Sequence, residues 1–343
     1  MPQTARLLRT VPAPLPFTGA GDAPVAERAG PGAPWRLTQR SDAEVVVVDI
    51  AREPGATPAA EVRFPAPWPR ADASYAVSPT ADLAVFAGPD AVWAVDRAGD
   101  AVWEVSHPAR PSWSGGGSVG FAADGKTVWV HVVAGGKEEW LVVDPADGTV
   151  LARAETGTSA AGSVHVPHPD PGQMGLSIGE GQDGAPLRWG RWNGRTLTVD
   201  SYGADDLVLL AVSPGGGLLL AVDHDQNTVT VHRAGDGSVV GGVPAAEVPA
   251  HPDADPADEA DDPGPCFDYA GGFVDEDTAL VGTVESDDEH GAGRHWLLDT
   301  ARPALIGQLR YPLAISGYPQ PLGDGTWCTA SPEEGVLHHW TRA

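Results

Sequence analysis

SYAVSPTADLAVFAGPDAVWAVDRAGDAVWEV, beginning at Ser74, has a layout that recurs along the chain. SVGFAADGKTVWVHVVAGGKEEWLVVDPADGTVLARA from Ser118 and LVLLAVSPGGGLLLAVDHDQNTVTVHRAGDGSVV from Leu207 follow the same plan. Each reads as four short apolar or alternating runs divided by Gly, Pro and Asp turns, with a period of roughly 40 residues. Such a unit cannot bury its apolar faces alone. Its recurrence predicts small β-sheets stacked side by side into a closed ring.

Working outward, strand-like runs place units at about 74–106, 118–155, 163–200, 206–244 and 268–310. Upstream, PWRLTQ, EVVVVDI and AAEVRF supply three strands of a further unit within 13–65, and Gly19 to Pro34 reads as a long loop. Downstream, LAISGYP, GTWCTA and GVLHHWT supply three strands of a last unit that lacks its fourth. TARLLRTV, Thr4 to Val11, has the composition of that missing strand and is expected beside Val336–Thr341, where it would cover an open edge. The expected fold is all-β, a seven-bladed β-propeller forming one domain over 1–343. Six blades result if the first region does not make a complete one.

The chain has 343 residues, and its 43 Gly and 33 Pro suit many tight turns. A formal charge of −26 disfavours nucleic acid and anionic lipid surfaces and favours basic protein or peptide surfaces, small cationic ligands and metal ions. The plain alternative is an acidic surface that serves solubility alone. No stretch approaches the ~18 uninterrupted apolar residues of a membrane span, and the N-terminus lacks the apolar core of a secretory signal. A cytoplasmic monomer is expected. Cys266 and Cys328 are too few for a disulfide framework; two thiols are expected, with a single bridge as the alternative.

SPGGGLL from Ser213 and VDPADGTVLA from Val143 resemble the repeats of YVTN-type and WD-repeat-like bacterial β-propellers, and the likeness extends over most of the chain. The resemblance implies the fold and leaves the activity open, because no unit carries a clear Gly-His start or Trp-Asp end. VWAVDRAGDAVWEVS at Val92–Ser106 is also similar to the repeat of pyrroloquinoline-quinone dehydrogenases, whose paired-cysteine and metal-site motifs are missing here. No cofactor is expected, with Ca²⁺ as the weaker alternative.

In a propeller, chemistry sits where the interblade loops meet the loops joining second to third strands. The interblade loops offer Trp68, Arg70, Trp113, Tyr202 and Tyr311 as contact groups. The second-to-third strand loops carry Asp42, Asp90, Glu138, Glu139, Asp183, Asp225, Asp287, Asp288, Glu333 and Glu334, with an acid in each unit. A ring of carboxylates suits a hard cation or a basic peptide. Against it stands the acidity of the entire chain.

For catalysis the candidates are His165, Asp268 and Cys266. A nucleophilic Cys266 would need a neighbouring base and a lowered thiol pKa, and the alternative is a structural thiol. His338 and His339 point to opposite faces of a strand and cannot readily chelate one ion, so no metal site is expected. The acidic stretch His251–Pro265 lacks calcium-loop spacing and reads as a solvated, mobile loop or a lid, with residues 250–264 expected to be dispensable for folding. The functional expectation is a protein- or peptide-binding scaffold that uses the channel-mouth face with an acidic rim. The alternative is a small-molecule enzyme of lactonase or hydrolase type at the central channel, with or without a metal.

Overall fold

Short runs rich in Val, Leu, Trp and Thr, each closed by Gly, Asp or Pro, favour strands and leave no stretch with helical periodicity. A computed structural model describes residues 3–28, 35–50, 61–109, 116–134, 137–252, 264–284, 294–315 and 317–343. Among these there are 28 strands, three single 3-10 turns and no α-helix. The chain divides into two compact units, Glu27–Leu209 and Met1–Ala26 with Leu210–Ala343.

Strand β1 (Gln3–Pro12) belongs to the last sheet described below. The Glu27–Leu209 unit is built on four antiparallel four-stranded meanders. The first is β2 (Val25–Arg28), β3 (Trp35–Arg40), β4 (Glu44–Ile50) and β5 (Val62–Pro65). The second is β6 (Ser74–Val77), β7 (Leu83–Ala87), β8 (Ala91–Asp96) and β9 (Ala101–Ser106). The third is β10 (Ser118–Phe121), β11 (Val128–Ala134), β12 (Lys137–Val143) and β13 (Val150–Glu155). The fourth is β14 (Gly162–Pro167), β15 (Gln173–Gly179), β16 (Leu187–Trp192) and β17 (Leu197–Tyr202). Its cores join facing sheets: Val85, Val92 and Trp103 pack with Val119, Val130 and Leu141. Trp129 and Trp140 pack with Met174, Leu176 and Ile178.

The other unit contains β18 (Leu207–Val212), β19 (Leu218–Asp223), β20 (Thr228–Arg233) and β21 (Val239–Pro244) as one sheet. It also holds β22 (Cys266–Phe273), β23 (Thr278–Val284), β24 (Arg294–Asp299), β25 (Ala304–Arg310), β26 (Gln320–Pro321), β27 (Thr326–Ser331) and β28 (Val336–Arg342). These seven strands and β1 form an eight-stranded sheet in the order β22-β23-β24-β25-β1-β28-β27-β26. It is two four-stranded halves joined by two parallel pairs, Gln3 with Leu309 and Thr4 with Arg310. The described residues thus carry seven four-stranded units. β1 lies antiparallel to β28 from Ala5 opposite Arg342 to Pro12 opposite Val336, with one irregularity between Leu7 and Arg9.

The Ser-Pro turns noted in the sequence share one device. Ser78 Oγ accepts the Asp82 and Leu83 N–H groups, and Ser213 Oγ accepts Leu218 N–H at 3.2 Å, so a buried hydroxyl replaces the ladder where the chain reverses.

Two expectations are corrected. Gly19–Pro34 is not all loop, because Val25–Arg28 forms the short first strand of its sheet, with Ala26 N–H donating to Gln320 Oε1 at 2.8 Å. LAISGYP is not the first strand of the last unit. That strand is the pair Gln320–Pro321, since Pro319 lacks an N–H for a ladder and Gly317 adopts φ +79°. The cysteines are the two free thiols expected, Cys266 half-buried and Cys328 buried.

Candidate functional site

The turns joining second to third strands are described in five sheets, and each carries an exposed carboxylate. These are Asp42, Asp90, Asp183 and Asp225, with Glu333 and Glu334 sharing the fifth. Glu138 departs from this pattern by turning inward. Its Oε1 accepts Ala160 N–H at 2.5 Å and its Oε2 accepts Thr158 Oγ1–H at 2.7 Å. Asp287, Asp288 and Trp113, along with most of the acidic stretch His251–Pro265, lie outside the described residues.

Trp68 and Arg70 occupy the loop between β5 and β6. Arg40, the last residue of β3, holds that loop from below: Nη1 donates to the Ala73 carbonyl and Nη2 to those of Trp68 and Pro69 at 3.0 and 3.3 Å. The guanidinium stands 5.5 Å over the Tyr75 ring and 5.3 Å over Phe86. Burial lowers the Arg40 pKa and raises that of Tyr75. Asp42 Oδ1 accepts Arg70 N–H at 3.0 Å and pins the loop's outer side. Trp68 is half-buried, tilted against Trp93 with ring centroids 5.4 Å apart.

Its ring also lies on Gly88, where an added Cβ would meet three of its carbons at 2.7 Å. Gly88→Ala should therefore lift Trp68 and destabilise the protein by about 1–3 kcal/mol. The same change in a Trp68→Ala background should cost less than half as much in urea denaturation. Equal costs in the two backgrounds would remove Trp68 from this contact.

His165 lies in a buried polar chain between β10–β13 and β14–β17. Trp140 Nε1–H donates to His165 Nε2 at 2.8 Å, and an indole can only donate. A neutral His165 therefore carries its proton on Nδ1, which donates to Ser118 Oγ at 2.8 Å. The Ser118 hydroxyl proton then turns to Ser163 Oγ at 2.7 Å, and that of Ser163 to His131 Nδ1 at 2.9 Å. His131 Nε2 stands 3.5 Å from Glu138 Oε2 without hydrogen-bond geometry, so this last contact is electrostatic.

Burial, and then the charge His131 can carry, holds the His165 pKa well below 6.5. Burial would raise Glu138, but His131, Thr158 and the Ala160 N–H outweigh it and the carboxyl falls below its ordinary value. The order hydroxyl, imidazole, carboxylate at Ser163, His131 and Glu138 is that of an activated nucleophile. Its base, however, is 0% exposed, and both ring nitrogens of His165 are occupied.

The remaining aromatic candidates are not open platforms. Tyr202 is 5% exposed, stacks on Trp189 and accepts a hydrogen bond from Arg191 at 2.5 Å. Tyr311 is half-buried. Its Oη accepts Trp327 Nε1–H at 3.0 Å and lies 2.8 Å from His295 Nδ1, whose pKa burial lowers to about 4. Glu334 sits 3.4 Å from His338 Nε2 and stays exposed. Asp268 is 5% exposed beside the β22 irregularity between Phe267 and Gly271. It lies in a different compact unit from His165. Cys266 Sγ lies 3.9 Å from the Gly264 carbonyl. No group of three or more His, Cys, Asp or Glu that could hold a metal ion occurs among the described residues.

Sequence reasoning missed Arg40, Ser118, Ser163 and His131. A signal existed for the serines, since SVGF and SVHV place Ser-Val at the start of consecutive first strands.

No protein-family model matches the chain, and no curated protein matches it. Solved structures do. The β-propeller domain of Cps50 (Swd1) from Myceliophteria thermophila aligns with TM-score 0.58 and 11% identity over 98% of this chain and 99% of that one. A chain of the mitotic checkpoint complex gives 0.60 and 11% over 98% and 91%. Chaetomium thermophilum Sqt1, solved bound to the N-terminus of ribosomal protein L10, gives 0.57 and 12% over 90% and 81%. At such identities the likeness establishes a WD-repeat-like β-propeller fold and nothing finer.

Proposed function

We infer that residues 1–343 form one cytoplasmic, monomeric, seven-bladed propeller, within the YVTN-like branch of such repeats, acting as a protein- or peptide-binding scaffold. One observation carries this reading: in every sheet where the second-to-third strand turn is described, a carboxylate stays exposed on it. With a net charge of −26, such a rim steers basic partners and speeds their association. The neighbour solved with a ribosomal-protein terminus supports a peptide partner, the class proposed here being a basic protein or peptide surface.

The test is a panel of display-selected basic peptides measured by biolayer interferometry. Association should slow at least tenfold between 50 and 300 mM salt, because exposed charges are screened over about 8–10 Å near physiological ionic strength. Neutralising Asp287, Asp288, Glu333 and Glu334 together should also slow association, whereas Trp68→Ala should mainly speed dissociation. Salt-independent association would remove the rim from the reading.

The Ser163–His131–Glu138 order carries a second reading, a small-molecule hydrolase with Ser163 as nucleophile, His131 as its base and His165 holding the serines in place. In that case His165→Ala would abolish ester or lactone turnover while the rim substitutions leave it intact.

A further inference from the structure

Arg40 is 5% exposed, and among the described residues its guanidinium meets only neutral acceptors, the carbonyls of Ala73, Trp68 and Pro69. Its Nε is buried without an acceptor. Buried cations are ordinarily paired with an anion, because a desolvated guanidinium facing only dipoles keeps much of its desolvation cost. Asp42 acts on it through space and spends Oδ1 on Arg70 N–H.

A second orphan lies on the neighbouring sheet, β6–β9, on the face that Arg40 covers. Tyr75 faces Phe86 across β6 and β7, and Phe86 faces Trp93 across β7 and β8, so the three rings form one row. Arg40 stands over the first two rings, while the indole N–H of the third is buried with no acceptor. Trp68, whose carbonyl Arg40 binds, leans on Trp93 from the loop above and is half-buried, and Arg70 is exposed two residues further along. The sign of a ligand at this point follows. Two unsatisfied N–H donors, one of them on the Arg40 guanidinium, reject a cation and call for an anion with paired acceptor atoms.

We propose that this corner of the Glu27–Leu209 unit binds a carboxylate. Arg40 Nε–H and Trp93 Nε1–H donate to its oxygens, and the Trp68 and Trp93 rings pack on the apolar group that bears it. The occupant is a peptide C-terminus ending in an apolar residue. The inference deepens the scaffold reading and rests on it: the acidic rim draws in the basic body of a partner whose terminal carboxylate locks at Arg40.

The ¹H–¹⁵N spectrum of the indole groups reads this directly, with the Trp93 resonance assigned from Trp93→Phe, which removes the donor and keeps a ring. N-acetyl-phenylalanine should move the Trp93 indole proton downfield saturably, and N-acetyl-phenylalaninamide should bind at least tenfold more weakly. N-acetyl-glutamic acid α-amide, which carries a side-chain carboxylate, should fall between them. Trp93→Phe should weaken the acid at least threefold; Arg40→Met would also release the loop.

An unmoved Trp93 resonance overturns the proposal and leaves water as the partner of both donors. Equal binding of acid and amide, or undiminished binding by Trp93→Phe, overturns it too. A basic peptide that binds with steep salt dependence while the Trp93 resonance stays still would sink the carboxylate site and leave the scaffold reading standing. A shifted resonance with no basic peptide bound would do the reverse.

Discussion

Deleting residues 1–12 should prevent the Leu210–Ala343 unit from reaching a stable native state. β1 pairs with β28 from Ala5 to Pro12, buries Ala5, and engages two histidines of β28 through Arg9 Nε to His339 Nδ1 at 3.3 Å and Thr10 Oγ1 to His338 Nδ1 at 3.2 Å. At about 1 kcal/mol net per hydrogen bond the ladder is worth roughly 5 kcal/mol, the lower end of a domain's entire stability. Its removal also leaves β28 as an open edge containing the buried Trp340. The expected result is a melting temperature lowered by ~10 °C or more, or aggregation during expression. A soluble truncation with an unchanged melting curve would refute the role assigned to β1.

Acid should unfold the protein well before its carboxylates are fully protonated. Burial holds His295 and His339 at about 4 and His165 well below 6.5. An imidazole kept neutral in the fold takes up its proton near pH 6.5 only when unfolded, so the unfolded state binds more protons on the acid side. The stabilisation is complete above about pH 6.5 and is lost as pH falls toward the folded value. His295 alone accounts for about 3 kcal/mol by pH 4. Protonating His165 on Nε2 would also set an N–H against the Trp140 N–H. Glu138, depressed by its donors, adds its own loss in a lower window, beginning near its unfolded value of about 4.5. Urea midpoints measured from pH 7.5 to 4.5 should fall steeply below pH 6.5, and His295→Gln should flatten part of that slope. A flat profile down to pH 5 would mean that these imidazoles are not held neutral by the fold.

Local pattern made the repeats legible. The four runs after Ser118 became β10 to β13 because each turn is marked by its own Gly or Asp, and β-branched residues fill the strands between. β1 was legible by subtraction, since a three-stranded last unit needs a fourth. β2 and β26 were not: four and two residues carry too little periodicity, and Pro319 and Pro321 obscure the second.

The site was less legible than the fold. Arg40 reads as a polar strand end, and only the turn of the chain sets it over Tyr75 and Phe86. The chain from Trp140 to His131 draws on four strands, and spacing within one repeat cannot disclose contacts between two. Acidic turns were visible, but Glu138 and Asp42 look alike in sequence, and only neighbouring donors separate an inward carboxylate from an exposed one.

The β1 pairing also governs how the chain is made. Arg9 and His339 meet across 330 residues, so β1 waits for β28, which is made long after it. At about 5–20 residues per second that wait is on the order of half a minute, spent with an unpaired apolar edge. The Glu27–Leu209 sheets pair only with strands made just before or after them and can form as they emerge. Translation should therefore deliver a half-finished molecule with β1 held in reserve. Synonymous codons that slow the ribosome after Leu209 would lengthen the exposure of Leu7 and Leu8 to chaperones and proteases without changing a single residue of the product.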